Sequence, residues 1–171
     1  MLQTLITSKT RLRLLIKFFV AAANKGYLNG LAQEFGESTN AIRKELNHLA
    51  AAGYLIKNRE NNKIQYLANP AHPLFSSIQK IVHQHLGLEY IAEQVIKRIG
   101  VVETISLVGD YVKGIDSGTI EIVISGKQFN HDYLIGLSKK IEIQIERRIK
   151  ISVELEPPKE GIILFMNESE D

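Results

Sequence analysis

Apolar residues recur along the first half of the chain with a helical period. Leu12, Leu15, Ile16 and Phe19 fall on one face of a segment that Ser8 can cap and that runs to about Ala23. Asn24, Gly26 and Asn29 mark turns around a short extended stretch, GYLN. Asn29 is placed to cap a second short helix, LAQEF, which Gly36 stops. After the GES turn, STNAIRKELNHLAAAG carries an apolar stripe of Ile42, Leu46, Leu49 and Ala50 and ends at Gly53. The period then changes to two. In YLIKNRENNKIQYLAN, Tyr54, Ile56, Ile64 and Tyr66 interleave with Lys57, Arg59 and Lys63 around a Glu60-Asn61-Asn62 turn, the pattern of a hairpin.

NPAHPLF then supplies two prolines in a rigid bend. Two helical segments follow, one with Ile78, Ile81, Val82 and His85 or Leu86 at helical spacing, the other with Leu88, Ile91, Val95 and Ile99. The first is a candidate dimer helix or spacer. From Val101 strands predominate: ETISLVG, TIEIVISG and RIKISVELE, with a helix from about Asn130 to Arg147 between the last two. Within that helix Ile141, Ile143 and Ile145 also alternate as in a strand. Length favours the helix, because a strand from Ile141 to Leu155 would be far longer than usual. GIILFMN reads as a last strand or docked tail, and the acidic NESED end as frayed.

This order predicts an α+β protein with a winged helix-turn-helix over residues 1–70, linker helices over 71–100 and a small α/β domain over 101–171. Composition agrees with ordinary globular domains, at 171 residues, 44% hydrophobic and 23% charged. There is no Cys, which excludes disulfides and thiolate chemistry and fits a reducing cytoplasm. Lys17 interrupts the apolar run near the start, so it reads as an amphipathic helix, not a targeting signal, and nothing approaches the roughly 20 apolar residues of a membrane span. His83 and His85, two apart on a helix, point about 200° apart and do not converge on a metal.

Charge changes the picture. Met1 to Gly87 holds eleven Lys/Arg against four Asp/Glu, a balance of +7, whereas Leu88 to Asp171 holds ten against fifteen, a balance of −5. A polyanion suits only the N-terminal half. There Asn40, Arg43, Lys44 and Asn47 fall at i, i+3, i+4 and i+7, on one helical face. Arg and Lys neutralise phosphates, and Arg and Asn match guanine and adenine edges in a major groove. The expected DNA-binding residues are Ser38, Thr39, Asn40, Arg43, Lys44 and Asn47 on the second helix, and Lys57, Arg59, Asn61, Asn62 and Lys63 on the wing. A solvated charged face is the simpler reading of the stripe alone. Helix order, turn chemistry, hairpin and charge balance together favour double-stranded DNA. His48 reads as a surface residue, and Tyr27 and Tyr54 as core.

The succession of winged helix, NPAHPLF, helix pair and LVGDYVKGIDSGTIEIVISG resembles ArsR-like winged-helix regulators fused to a minimal nucleotidyltransferase-fold domain, over about Ser8 to Leu155. That resemblance implies a Gly-Ser turn followed by an Asp-x-Asp pair on the next strand. Gly109 and Gly114 match the turn, but Asp110 stands at the Ser position, and the Asp pair falls on Thr119 and Glu121. Nucleotidyl transfer needs carboxylates to hold Mg²⁺, and a small uncharged residue to cradle phosphate. Both alterations oppose it, so the site is expected to be vestigial, with no catalytic residue, no metal and no cofactor. The alternative is an active enzyme using Mg²⁺ and nucleotide, with Glu154, Glu156 or Asp116 supplying the missing ligand. A third reading is a protein-interaction module. The expected assembly is a homodimer, with a nucleotide-like ligand or protein partner at the C-terminal domain.

Overall fold

The computed structural model describes residues 2–97 and 99–167. The expected frayed end, apart from Asn167, lies outside the described residues. The chain is α+β and divides into two compact units: Met1–His85 with Lys113–Ile115, and Leu86–Val112 with Asp116–Asp171. Among the described residues, no helix is long and apolar enough to cross a membrane.

The first unit runs α1 (Leu2–Leu5), α2 (Lys9–Phe19), β1 (Lys25–Tyr27), α3 (Leu28–Phe35), α4 (Thr39–Ala51), β2 (Leu55–Glu60), β3 (Lys63–Ala68) and α5 (Phe75–Leu86). Ser8 caps α2 by accepting from the Arg11 N–H. The helix stops at Phe19, short of Ala23, and buries Leu14 and Phe18 as well as Leu12, Ile16 and Phe19, while Leu15 is half-buried. A helix enclosed on more than one side does not betray its buried face through a single stripe. Its Lys17 is buried too, donating to Glu34 on α3 at 2.9 Å. Such a pair adds specificity of packing more than stability.

Asn29 is not a cap, because β1 extends only to Tyr27 and α3 begins at Leu28, placing Asn29 inside the helix. Gly36, at φ 65°, ends α3 in the left-handed region that a side chain disfavours. Ser38 then caps α4, accepting from the Ala41 N–H. Ile42, Leu46 and Leu49 are buried beneath α4, each contributing about 1.5–3 kcal/mol. Ala50 is only half-buried, and Glu45 joins the buried face. β2 and β3 pair antiparallel from Leu55↔Ala68 to Glu60↔Lys63 around Asn61 and Asn62, whose φ values of 46° and 60° are those of a two-residue primed turn. β1 adds to the outer side of β3. Ile56 and Ile64 are 40% and 41% exposed, against the expected alternation, because the ribbon projects past the core and only Leu55, Gln65, Tyr66 and Ala68 are buried.

The second unit runs α6 (Leu88–Ile96), β4 (Val101–Val108), a 3-10 turn (Gly109–Lys113), β5 (Thr119–Lys127), α7 (His131–Ile145), β6 (Arg148–Glu154) and β7 (Ile162–Met166), the last an edge strand built from the GIILFMN run. The sheet order is β6-β5-β4-β7, with β5 and β6 parallel and the other pairs antiparallel. α7 is the crossover that a parallel pair requires. Ile105, Leu107, Ile120, Ile122 and Ile124 are buried on one sheet face, and α6 and α7 contribute Leu88, Ile91, Val95, Leu134, Leu137 and Ile141 to the core. Ile143 is 81% exposed between buried Ile141 and Ile145, as helical geometry demands and strand alternation forbids.

Candidate nucleic-acid interface

α3 and α4 are joined by the three residues Gly36 to Ser38, with the β2–β3 ribbon following α4, so the first unit is a winged helix-turn-helix. Burial of Ile42, Glu45, Leu46 and Leu49 turns the opposite face of α4 outward, and Thr39, Asn40, Arg43, Lys44, Asn47 and His48 are all exposed. The helix is fixed from below by Glu45, whose carboxylate accepts from Ser8 Oγ at 2.8 Å and Arg11 Nε at 2.8 Å. Burial pushes that carboxyl up, but the Arg11 and Ser8 hydrogen bonds, with the Arg11 and His48 charges, hold it below its ordinary value.

Two contacts order the exposed face. Arg43 Nη1 donates to Asn40 Oδ1 at 2.8 Å, and Lys57 Nζ, from β2, donates to Asn47 Oδ1 at 3.2 Å. Lys57 also lies 5.7 Å over the ring of Tyr66, its register partner on β3. Burial raises the pKa of the Tyr66 phenol, and Arg43 opposes the shift. Tyr66 thus lies under the lysine that joins wing to helix, a role the sequence reading missed by treating it only as an alternating apolar residue. Counting outward from the Asn61-Asn62 turn gives the pair Lys57↔Tyr66 and could have exposed it.

On the wing, Lys57 and Arg59 share one ribbon face, whereas Lys63 pairs with Glu60 and takes the other. Glu60 is occupied, accepting from Tyr27 Oη at 2.8 Å and Gln65 Nε2 at 2.9 Å. Its carboxylate, through that hydrogen bond, raises the pKa of Tyr27. Neither Tyr27 nor Tyr54 is core: both are half-buried, and the Tyr54 ring packs at a tilt against His72 with ring centroids 4.3 Å apart.

In the second unit, Gly109 opens the 3-10 turn at φ 73°, and a Cβ there would collide with the Glu121 carboxylate. Asp110 is exposed in the turn, and Gly114 belongs to Lys113–Ile115, the segment grouped with the first unit. Glu121 sits opposite Lys150 in the β5–β6 register, with Nζ 3.4 Å from Oε2. Thr119 is opposite Arg148 and lines an open cleft of about 500 Å³ with Glu142, Glu146 and Arg147. Glu154, the candidate to supply a second carboxylate, pairs with Ser125, four residues beyond Glu121, or about 13 Å along the strand. Glu156 lies beyond the end of β6 and has no place in the β5–β6 register. Asp116 is engaged elsewhere, accepting from the Tyr111 hydroxyl and lying 3.8 Å from Arg147. Burial first, then Asp116, pushes the Tyr111 phenol up to about 12. Among the described residues, no group of three or more His, Asp or Glu could hold a metal ion, and His83 instead meets the Val20 carbonyl at 2.9 Å.

No family model matches the chain, and no curated protein matches it. Two solved structures are similar to it. The AntR antimony-specific transcriptional repressor is 27% identical, with 54% of this chain and 78% of that chain covered at a TM-score of 0.41. Reduced HlyU from Vibrio cholerae N16961 is 17% identical, with 48% and 82% covered at a TM-score of 0.39.

Proposed function

We propose that this chain is a sequence-specific, DNA-binding transcriptional regulator of the cytoplasm that works as a homodimer. α4 enters the major groove, Arg59 and Lys63 on the wing follow the sugar-phosphate backbone, and Lys57 reaches from the wing to Asn47 of α4. The observation that carries the reading is the continuous exposed surface of Asn40, Arg43, Lys44 and Asn47, joined to the wing through Lys57. It contains no carboxylate, since Glu45 faces inward and Glu60 is bonded on the other ribbon face. Leu74, Ile78 and Ile81 recur at i, i+4 and i+7 in and just before α5, with Leu74 and Ile81 49% and 44% exposed. That stripe is the seam we assign to the dimer.

The second domain belongs, on this reading, to the nucleotidyltransferase-like group without its chemistry, and serves dimerisation, partner contact or binding of a nucleotide-like ligand. Its support is the succession α6-β4-turn-β5-α7-β6 with strand order β4-β5-β6. Against catalysis stands Lys150: an ammonium beside Glu121, and a neutral Thr119, oppose Mg²⁺ where two carboxylates are needed. Selection from a random pool of duplex DNA tests the central reading. Enrichment of an inverted repeat supports a dimeric regulator, and recovery of no preferred sequence refutes it.

A further inference from the structure

We propose that the two asparagines on the outer face of α4 present only hydrogen-bond donors to a duplex, because their carbonyl oxygens are held by neighbouring cations. The surface therefore selects guanine over adenine, and Lys57 is a positioning residue that sets this preference through Asn47. The inference rests on α4 being the DNA-reading helix.

Asn40 Oδ1 receives Arg43 Nη1 at 2.8 Å, and Asn47 Oδ1 receives Lys57 Nζ at 3.2 Å. Guanidinium and ammonium groups have donors and no acceptor, so only the amide oxygen, not the NH₂ group, can face them. The orientation of each amide follows from that chemistry. A free asparagine reads adenine with both ends of its amide, oxygen to the N6 amino group and nitrogen to N7. Here the oxygen's remaining lone pair could be reached only beside a cationic donor, which repels the adenine amino group. The NH₂ group stays available, and it is complementary to an acceptor. Guanine offers two adjacent acceptors, N7 and O6, and the remaining N–H groups of Arg43 and the Lys44 ammonium add further donors of the same kind.

Lys57 is well placed for this work. Its stem leaves β2 opposite Tyr66, whose ring lies 5.7 Å below the ammonium, and the buried ring limits where the long side chain can go. An exposed wing lysine whose charge is directed at a helix side chain is directed away from free phosphate contact.

The test uses the full chain and an operator duplex enriched from a random pool. Base pairs contacted by Asn40 and Asn47 are located as those where discrimination disappears in Asn40→Ala and Asn47→Ala. Competition is then measured between duplexes carrying guanine or adenine at each position, for the unsubstituted chain, Lys57→Met and Lys57→Arg. Guanine should be preferred about tenfold at both positions in the unsubstituted chain. Lys57→Met should bring the ratio at the Asn47 position to about one or reverse it, with the Asn40 position unchanged, and Lys57→Arg should keep the guanine preference. Adenine at the Asn47 position in the unsubstituted chain overturns the proposal, as does a Lys57→Met variant that weakens all duplexes equally. A pool with no enriched sequence defeats the DNA-reading assignment itself, and this inference with it, which separates the two failures.

Discussion

Glu45→Gln isolates the contact that holds α4 against α2. The Glu45 side chain is 10% exposed, and each oxygen accepts one hydrogen bond of 2.8 Å, from Ser8 Oγ and from Arg11 Nε. Glutamine preserves volume but keeps one acceptor and turns an NH₂ group toward the other donor. A hydrogen bond involving a charged group is worth about 1.5–3 kcal/mol, and Arg11, 42% exposed, recovers part of its loss in water. The expected cost is about 2 kcal/mol, or a Tm lower by about 10 °C for the transition of the N-terminal unit. The folded-state pKa lies below the ordinary value of 4.5, so this stability is fully present above that value and is lost as pH falls through the folded pKa. Thermal melts followed by far-UV circular dichroism, from neutral pH down into acid, should therefore show two chains far apart at pH 7 and converging in acid. Equal stability at pH 7, or a gap undiminished in acid, would refute the role given to this carboxylate.

Other consequences are independent of that one. Replacing Leu74 and Ile81 together by Glu should convert a dimer to a monomer in sedimentation velocity while the far-UV circular dichroism spectrum at low temperature is kept; an unchanged mass removes α5 from the dimer seam. Mg²⁺ with ATP should leave the Tm unmoved, whereas a site filled at a hundred times its Kd would add about 2.7 kcal/mol; a magnesium-dependent rise abolished by Glu121→Gln revives the enzymatic reading. Gly126→Ala should destabilise the second unit by more than about 2 kcal/mol in denaturant titration, since φ is 146° and a Cβ would collide with the Val101 carbonyl beside the β4 bulge.

Local signals carried the reading where each element's environment was simple. Ser8 caps a helix, Gly36 ends one and Asn61-Asn62 closes the hairpin, because each depends on a few adjacent residues. Legibility failed where distant chain decides burial. Leu14 and Phe18 are enclosed on faces that α2 alone would give to solvent, Ile81 stays exposed, and Ile56 and Ile64 lose their cover once the ribbon passes the core. The helix reading of Ile141 to Ile145 succeeded because length separated the two periods. In the second unit, Thr119 and Asp110 could be compared with the expected turn and Asp pair, but Lys150 beside Glu121 could not be foreseen. That neighbour depends on a parallel register set across the whole of α7, which no spacing in the sequence reveals. The Lys57–Asn47 contact is hidden for the same reason, joining a strand to a helix ten residues away.

The central claim is that the outer face of α4 and the adjoining wing meet the phosphates and base edges of a duplex. Its most direct measurement is the affinity for an enriched duplex as a function of salt, for the unsubstituted chain and for Arg43→Ala and Lys44→Ala. Log affinity should fall linearly with log salt, each substitution should weaken binding, and Lys44→Ala should make the slope shallower by about one. Affinity that is indifferent to salt, or unchanged by either substitution, would contradict it.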